Sequence, residues 1–392
     1  MWWWTVLVFG WVLFLAWCHQ LLPIFSIAGY RTLRRHTEGL PDPADWPLLS
    51  VMVPARDEGP HISAGLKSLL ASDYPQLEII AIDDRSRDDT GRVMDELAAA
   101  DARLKVIHVT ELPEGWLGKN HAMHLGQAAA RGDWLLFTDG DVLFEPDALR
   151  RAVRYAVHDR LDMLTLFPHM IPGGFWENAL IVFFSLAFMA GTKPRLVRNP
   201  LEKSAYVGIG AFNLIRRSAY DSTGGHTRLA MEILDDVRLG QMLKDHEFRC
   251  DILTAGPFVS VRWQHSLWGA IRGLEKNGFA ALHFSTPRLI AMTVLLTLGG
   301  LSPYLVPLLC HDARAWGYLA TVLIMHVTFG YLGWKMARSY WLWLVFPVAQ
   351  MLLVFSFARS GWVTLRQGGV RWRDTFYPLA TLKANVYRPP VK

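Results

Sequence analysis

The sequence predicts an α/β fold in which a mixed, mostly parallel sheet carries helices on both faces and is joined to apolar helices at both ends of the chain. Between residues 48 and 284, short apolar runs alternate with helical stretches, a spacing typical of parallel strands connected by crossover helices. Three of these runs end in pairs of acidic residues, at the sheet edge where such folds bind ligands. The apolar residues, 52% of the 392, are concentrated outside this central portion.

Four long stretches contain no Asp, Glu, Lys or Arg: residues 2–22, 290–309, 315–334 and 340–358. Each has about the 20 residues that a helix needs to cross a bilayer, so we expect an integral membrane protein. The predicted parts are an N-terminal transmembrane helix (residues 1–30), a basic and proline-rich linker (31–47), a central domain (48–284), a C-terminal transmembrane region (285–358) and a basic tail (359–392).

The distribution of basic residues predicts the topology. The first positive charges, from Arg31 onward, follow the N-terminal apolar run, which favours an uncleaved anchor with the central domain in the cytoplasm. The tail has seven Lys or Arg residues against one Asp, so it too should be cytoplasmic. If all three C-terminal apolar stretches crossed the membrane, the tail would lie on the side opposite the cytoplasm. We therefore expect residues 290–309, with Gly299, Gly300, Pro303 and Pro307, to be broken or re-entrant.

Several classes of site and partner are disfavoured by composition. The three cysteines have no paired spacing, so neither a disulfide framework nor a zinc site is expected. The net charge is +5, and the basic residues cluster beside the apolar stretches, which favours anionic lipid over nucleic acid as their partner. His121 and His124 have a possible ligand spacing on a helix, but without an apparent third ligand we expect a surface or core role.

The central domain is predicted in chain order from its apolar runs. Strands are expected over residues 48–54, 78–82, 104–109, 134–138 and 162–167, and helices over 59–72, 118–132 and 146–155. A further apolar helix is expected over 175–192. Its uncharged part is too short to span a bilayer, so it should lie either at the membrane surface or in the protein core.

Acidic residues follow three of these strands: Asp57 with Glu58, Asp83 with Asp84, and Asp139 with Asp141. Right-handed crossovers place the carboxyl ends of the strands on one side of the sheet. Carboxylates are hard oxygen ligands for Mg²⁺ or Mn²⁺, which in turn can hold a diphosphate. Alone, the Asp139-Gly140-Asp141 segment is equally compatible with a simple turn after a strand.

Four motifs carry a resemblance to a known family: Val53-Pro54-Ala55-Arg56-Asp57-Glu58, Asp83-Asp84-Arg85-Ser86, Gly118-Lys119-Asn120 and Thr138-Asp139-Gly140-Asp141. Together, over residues 48–251, they resemble the family 2 glycosyltransferases with the GT-A fold, a Rossmann-like arrangement. The resemblance implies an inverting transferase that uses a nucleotide-diphosphate sugar, with a UDP-sugar expected, and a divalent cation, Mg²⁺ or Mn²⁺.

Two further segments are similar to a bacterial branch of that family. Gly115-Trp116-Leu117-Gly118-Lys119 and Val370-Arg371-Trp372-Arg373 resemble membrane-bound glycosyltransferases that act on terpenoid lipids, as in the hopanoid-associated and carotenoid enzymes. This implies a lipid acceptor and a place in the bacterial inner membrane. In the family, glycines such as Gly208 and Gly210 shape the acceptor side, although a tight turn before a strand also explains them.

The resemblance implies a role for each candidate residue. The residues assigned to nucleotide-sugar binding are Pro54, Ala55, Arg56, Glu58, Asp83, Lys119, Asp139 and Gly140. Asp141 and Asp139 are the expected metal ligands, and Asp235 and Asp236 the catalytic pair. Asp236 is assigned as the general base that takes the proton of the acceptor hydroxyl.

Each role has a plainer alternative. Asp235 and Asp236 could simply be helix-start acids stabilised by the helix dipole, and Lys119 a solvated lysine at a helix start. Processive polysaccharide synthases of this family usually carry Gln-x-x-Arg-Trp after the base. This sequence has only Arg262-Trp263-Gln264-His265, which favours transfer of a single sugar. A non-catalytic membrane scaffold with the same fold is the remaining alternative, and the intact set of carboxylates weighs against it.

Overall fold

The computed structural model describes residues 2–389, and their side chains except at residues 22–30 and 60. Residues 390–392 of the expected basic tail lie outside the described residues. The chain forms two compact units. The sheet unit comprises Ile27–Met170, Thr192–Arg262 and Asn385–Lys392, and the helical unit comprises Met1–Ser26, Ile171–Gly191 and Trp263–Ala384.

The strands, in chain order, are β1 (Leu49–Ala55), β2 (Leu77–Asp84), β3 (Leu104–Val109), β4 (Trp134–Phe137), β5 (Val142–Phe144), β6 (Met163–Phe167), β7 (His169–Met170), β8 (Asn213–Arg216), β9 (Cys250–Thr254), β10 (Val259–Val261), β11 (Gly369–Trp372) and β12 (Thr375–Pro378).

The α-helices are α1 (Trp2–Tyr30), α2 (Leu33–Thr37), α3 (Gly59–Leu70), α4 (Thr90–Ala100), α5 (Gly118–Ala129), α6 (Ala148–His158), α7 (Phe175–Thr192), α8 (Arg217–Thr223), α9 (Asp235–Asp245), α10 (Leu267–Ala281), α11 (Thr286–Leu309), α12 (Trp316–Ala337), α13 (Phe346–Gln367) and α14 (Leu379–Ala384).

A seven-stranded sheet in the order β3-β2-β1-β4-β8-β6-β9 forms the centre of the sheet unit. Strand β8 runs antiparallel to both of its neighbours, and the other pairings are parallel. This confirms the expected mixed, mostly parallel sheet. Every residue of β1 and β2 is buried, as apolar runs without alternation predict for strands covered on both faces.

The strand order creates a switch point between β1 and β4. The chain extends outward from β1 through β2 and β3, and then returns to add β4 on the other side of β1. Open α/β sheets bind ligands outside the carboxyl ends of the strands at such a point. The ends of β2, β1 and β4, which carry the acidic clusters, are therefore neighbours in the sheet.

The fourth strand is shorter than the sequence suggests. Strand β4 ends at Phe137, and the chain then leaves the main sheet and begins β5 in a small sheet with β10 and β7. Asp139 and Asp141 consequently lie in a loop between two sheets. The backbone of Gly140, between them, packs against α3: a Cβ placed on Gly65 of that helix would meet the Gly140 carbonyl oxygen at 2.2 Å.

The helical unit contains long apolar helices. Within residues 2–389, five segments are long and apolar enough to cross a membrane: Trp2–Leu21, Phe175–Thr192, Thr286–Leu309, Ala313–Ala337 and Tyr340–Gln367. Large apolar side chains such as Leu295 and Leu309 are 70% and 80% exposed. Exposed apolar surface of this kind is typical of a face that meets lipid or another apolar partner.

One expectation about these helices is wrong, and another agrees with one of its two alternatives. Helix α7 is 18 residues long, and more than half of its residues, including Glu177, are buried, as the core alternative predicts. Helix α11 continues without a break through Pro303 and Pro307. The side chain of Gln350 donates a hydrogen bond to the Leu296 carbonyl oxygen at 2.7 Å and lies against Gly300, so α11 packs closely on α13 at this point.

Candidate active site

The carboxyl ends of β1 and β2 lie side by side, and hydrogen bonds connect the loops that follow them. Ala55 lies beside Asp83 in the register of the two strands, and Pro54 lies beside Ile82. In the loop after β1, the Asp57 amide donates to the Ser86 hydroxyl at 3.0 Å, and the Asp57 carboxylate accepts the Arg87 amide at 2.7 Å. The loop after β1 is thus held on the loop after β2.

Asp57 and its neighbours serve mainly this loop structure. Asp57 has a left-handed φ of 53°, and Nε of Arg56 is 3.9 Å from its carboxylate. The Glu58 amide donates to the Thr90 hydroxyl at 2.8 Å. The charge of Glu58 is one of those that raise the pKa of Asp141, so the Glu58 side chain lies near that carboxylate.

Asp83 and Asp84 have different partners. Asp83 accepts the Ser86 amide at 3.1 Å and contacts Nδ1 of His108 at 3.1 Å. The Asp84 carboxylate forms an ion pair with Arg85 at 2.8 Å. A Cβ on Gly118 would lie 2.3 Å from Oδ2 of Asp84, so this carboxylate lies against the first residue of α5.

His108 bridges two carboxylates. Its Nδ1 contacts Asp83 and its Nε2 lies 3.0 Å from Asp95. Hydrogen bonds to Asp83 and then to Asp95 raise the pKa of the His108 imidazole above its ordinary value. A histidine within a strand has no distinguishing sequence pattern, so the sequence alone does not point to this residue.

Lys119, the second residue of α5, lies among three acidic side chains. Its Nζ is 2.7 Å from Oδ1 of Asp139 and 3.9 Å from Oδ2 of Asp235. Burial alone would lower the pKa of this ammonium group, but the charges of Asp139, Asp235 and Asp236 outweigh burial and raise it. Lys119 is therefore a charged residue within the acidic cluster, and the alternative of a solvated lysine is wrong.

The loop after β4 is fixed by its backbone. The Asp139 amide donates to the Gly210 carbonyl at 3.1 Å, and the Thr138 hydroxyl donates to the Ala211 carbonyl at 2.8 Å. Burial, together with the charges of Asp139 and Glu58, raises the pKa of Asp141 to about 7. A carboxyl group in this state gains from any cation that offsets the neighbouring negative charges.

The acidic pair at the start of α9 meets this loop through Gly210. The Gly210 amide donates to Oδ2 of Asp236 at 2.7 Å, and a Cβ on Gly210 would lie 2.6 Å from Oδ2 of Asp139. The side chains of Asp236 and Asp139 thus approach the same glycine. Burial raises the pKa of Asp236, with Asp139 adding to the effect, while Lys119 and the backbone amides oppose it.

His226 is a buried neighbour of the pair. Its backbone amide donates to the Tyr220 hydroxyl at 2.9 Å, and that hydroxyl lies 2.8 Å from Nδ1. Nε2 of the same ring lies 3.9 Å from Oδ2 of Asp235. Burial, then the charge of Lys119, lowers the pKa of His226 to about 3, so the ring is neutral.

Asn120 holds the segment that leads to the acidic pair. Its buried side-chain amide donates to the carbonyl oxygens of Leu229 at 2.5 Å and Glu232 at 2.9 Å. The Leu117 amide donates to the Ala230 carbonyl at 2.8 Å. The start of α5 therefore sets the position of residues 229–232 as well as that of Lys119.

The two glycines expected on the acceptor side have a close contact with α9. A Cβ on Gly208 would lie 1.7 Å from the backbone oxygen of Asp236. Gly208 and Gly210 therefore permit the backbone before β8 to approach the acidic pair. This contact requires glycine whether or not a sugar also binds here.

The histidines on α5 contact an aromatic side chain. The Trp116 ring stacks on His124 at 5.0 Å and meets His121 edge-on at 5.5 Å. Among the described residues, no group of three or more His, Cys, Asp or Glu side chains is placed to hold a metal ion by itself. A cation at Asp139 and Asp141 would need ligands from another source, such as the oxygen atoms of a bound diphosphate.

Comparison with known proteins agrees with this geometry. Residues 50–224 match glycosyl transferase family 2, and this range includes the motifs after β1, β2 and β4. A 4,4'-diaponeurosporenoate glycosyltransferase from Staphylococcus haemolyticus is 26% identical over 261 residues, which are 65% of this chain and 68% of that protein. A beta-monoglucosyldiacylglycerol synthase from Synechocystis is 26% identical over 275 residues, 65% of this chain and 54% of that protein.

The fold also has a counterpart among solved structures. A mannosyltransferase from Pyrobaculum calidifontis, in complex with GDP-Man and Mn²⁺, superposes with a TM-score of 0.52 over 90% of this chain and 99% of its own, at 17% identity. At this identity the likeness concerns the fold alone, a GT-A-like α/β arrangement around a mostly parallel seven-stranded sheet.

Proposed function

Because this chain is a glycosyltransferase with a family 2 domain, we propose that it transfers one sugar from a nucleotide-diphosphate donor to a lipid acceptor, with inversion at the anomeric carbon. The observation that carries this proposal is the placement of Asp236. Its carboxylate accepts the Gly210 amide at 2.7 Å, at the same glycine that Asp139 approaches. A base and a donor-binding loop are thereby side by side.

Asp236 has the properties of a general base for this reaction. It removes the proton from the acceptor hydroxyl while that oxygen attacks the anomeric carbon, and the bond from this carbon to the diphosphate breaks with both electrons leaving on the diphosphate. Burial raises the pKa of Asp236, which brings its proton affinity closer to that of the hydroxyl it serves. The Gly210 and Val237 amides hold the two oxygen atoms in place.

Asp235 and Lys119 position this base. Lys119 lies between Asp139 and Asp235 and compensates the negative charge that would otherwise accumulate at the cluster. Neutral His226 also lies beside Asp235, with Nε2 at 3.9 Å from its Oδ2. In this arrangement Asp235 is paired with Lys119, which leaves Asp236 as the carboxylate available for proton transfer.

The residues present fit a divalent cation. Asp139 and Asp141 supply hard oxygen atoms, and the pKa of Asp141, raised to about 7 by burial, Asp139 and Glu58, reflects negative charge that lacks sufficient compensation. Mg²⁺ and Mn²⁺ are commonly held by one or two carboxylates plus phosphate oxygens. When bound, such an ion neutralises charge on the departing diphosphate.

The donor side is assigned by proximity to these carboxylates. We assign Pro54, Ala55, Arg56 and Glu58 to the base and ribose side with Asp83, because β1 and β2 end together there. Asp139 and Gly140 would border the sugar diphosphate. A UDP-sugar is the proposed donor class.

A lipid acceptor is supported by two kinds of observation. The described residues include five segments that are long and apolar enough to cross a membrane, and the names of the two relatives described above contain 4,4'-diaponeurosporenoate and monoglucosyldiacylglycerol, both lipid-like compounds. We propose that the enzyme resides in a bacterial inner membrane with its sheet unit in the cytoplasm, where nucleotide sugars are made. The absence of Gln-x-x-Arg-Trp from the sequence supports addition of a single sugar.

The test is to incubate membranes containing the protein with labelled UDP- and GDP-sugars and to analyse the lipid extract by mass spectrometry. We expect one donor to give a lipid that is heavier by a single sugar. The Asp236→Asn variant should bind that donor normally but transfer about 10²- to 10⁴-fold more slowly, the usual contribution of a general base. A near-normal rate in this variant would show that the base lies elsewhere, and products with many sugars would contradict single transfer.

A further inference from the structure

The last described residues of the chain belong to the sheet unit. After the helical segment Trp263–Ala384, residues from Asn385 onward are part of the unit that contains the acidic cluster. Tyr387 is only 5% exposed, although Asn385 and Arg388 on either side are exposed. A buried aromatic residue in an otherwise exposed tail indicates a specific docking site for that side chain.

Tyr387 contacts the sheet unit in three ways. Its backbone amide donates to Oε2 of Glu232 at 2.9 Å, and its hydroxyl donates to Oδ2 of Asp245 at 3.0 Å. The guanidinium of Arg228 lies over its ring, 5.6 Å from the centroid, within the range of a cation–π interaction.

These contacts involve both ends of α9. Asp245 is the last residue of this helix, and Glu232 lies three residues before Asp235, the first. Glu232 is itself almost fully buried, at 3% exposure. Its carboxylate lies 3.8 Å from Nε of the equally buried Arg238. A buried carboxylate is tolerated only when donors and opposite charge surround it, and the Tyr387 amide is one of these donors.

The same segment is held from its other side by Asn120, which donates to the Glu232 carbonyl. Glu232 therefore has its backbone fixed by the residue next to Lys119 and its side chain fixed by the tail. From this arrangement we propose that Tyr387 is a positioning residue: by docking on Glu232 and Asp245 it fixes α9, and with α9 the orientation of Asp235 and Asp236 for proton transfer.

This inference rests on the proposed function, since it concerns the base of that reaction. It predicts that the tail affects catalysis and leaves donor binding unchanged. The donor-side residues after β1, β2 and β4 have no contact with Tyr387 among those described above. Loss of Tyr387 should therefore change the rate of transfer and leave donor affinity unchanged. A displacement of about 1 Å at a reacting group typically lowers a rate by about 10²-fold.

The experiment uses the full-length protein in detergent or nanodiscs, with Tyr387→Ala and Tyr387→Phe compared with Arg388→Ala as the matched control at the adjacent exposed position. Hydrogen–deuterium exchange of the amides of residues 229–240 reports on the segment without any substrate. The kcat of transfer and the KM for the donor are measured in parallel, and thermal unfolding shows whether each variant is folded.

We expect Tyr387→Ala to accelerate exchange in residues 229–240 and to lower kcat about 10- to 100-fold, with a donor KM within twofold of the original. Both variants keep the backbone amide that binds Glu232, but Tyr387→Phe also keeps the ring under Arg228, so it should recover most of the activity. Arg388→Ala should resemble the unmodified protein in both measurements.

Unchanged exchange in a folded Tyr387→Ala variant would overturn the docking role, whatever the activity. Faster exchange with an unchanged kcat would overturn the positioning role. If the unmodified protein transfers no sugar from any donor, the proposed function fails, and the exchange measurement still decides whether the tail holds α9.

Discussion

Replacing Gly210 by alanine should separate catalysis from folding. The added Cβ would lie 2.6 Å from Oδ2 of Asp139 and 3.4 Å from Oδ2 of Asp236. The first contact is shorter than atoms tolerate, and the second is only marginal. Because the colliding atom of Asp139 is the end of a side chain and not backbone, the carboxylate can rotate away while the fold persists.

The size of the effect follows from these distances. To reach 3.4 Å from the new Cβ, Oδ2 of Asp139 must move by about 0.8 Å. This movement also disturbs the ion pair between the same carboxylate and Lys119, whose Nζ lies 2.7 Å from Oδ1. An off-rotamer side chain costs about 0.5–1.5 kcal/mol, so the free energy of unfolding should fall by roughly 1 kcal/mol. A misplacement of nearly 1 Å in the site should lower kcat by about 10²-fold, which corresponds to about 2.7 kcal/mol in the activation free energy.

Two other glycines serve as controls. A Cβ on Gly208 would meet the Asp236 backbone oxygen at 1.7 Å, whereas a Cβ on Gly174 would meet nothing within 4 Å. Gly208→Ala should therefore lower stability severely, and Gly174→Ala should change neither stability nor rate. The assay is transfer of the labelled sugar to lipid, with donor affinity by calorimetry and stability by thermal unfolding.

The expected pattern for Gly210→Ala is a folded protein with a low kcat. A folded variant with a rate near that of the unmodified protein would refute the assignment of Asp139 and Asp236 to one site. So would a Gly208→Ala variant that is both stable and active, since it would show that the backbone before β8 does not approach α9 as closely as described.

Three other changes have defined outcomes. Asp141→Ala should abolish metal-dependent donor binding, and unchanged affinity in calorimetry with and without Mn²⁺ would refute its role as a ligand. Asp83 and Asp95 raise the pKa of His108 in the folded state. His108 should therefore stabilise the protein fully below about pH 6.5 and lose this contribution as the pH rises through the folded-state pKa. Thermal unfolding at several pH values should show this loss of stability, and the His108→Gln variant should lack this pH dependence. Asn120→Ala leaves buried carbonyl groups without a donor and should cost about 1–3 kcal/mol of unfolding free energy; Asn120→Asp, which also lacks the donor, should cost at least as much in chemical denaturation, and no loss in either variant would contradict the described contacts.

Much of the sheet was predictable because its signals are local. Buried parallel strands are apolar throughout, and the turn that follows each one places its polar residues at the same edge. These features concern residues adjacent in the chain, so the clusters at Asp57, Asp83 and Asp139 could be identified directly. The break expected at Pro303 is not present, because α11 continues through both prolines; its packing on α13 at Gly300 and Gln350 joins distant segments and has no local signal.

The amino-acid sequence alone therefore determined five of the seven strands of the main sheet, the apolar segments and the acidic residues at the sheet edge, since hydrophobic periodicity and turn chemistry act over a few residues. Only the tertiary structure decided which of these residues meet. The pairing of Lys119 with Asp139 and Asp235, the burial of His226 beside them and the docking of Tyr387 on Glu232 join positions that are far apart in the chain. Such contacts depend on how the elements pack, and packing is set by the whole core and not by any single segment.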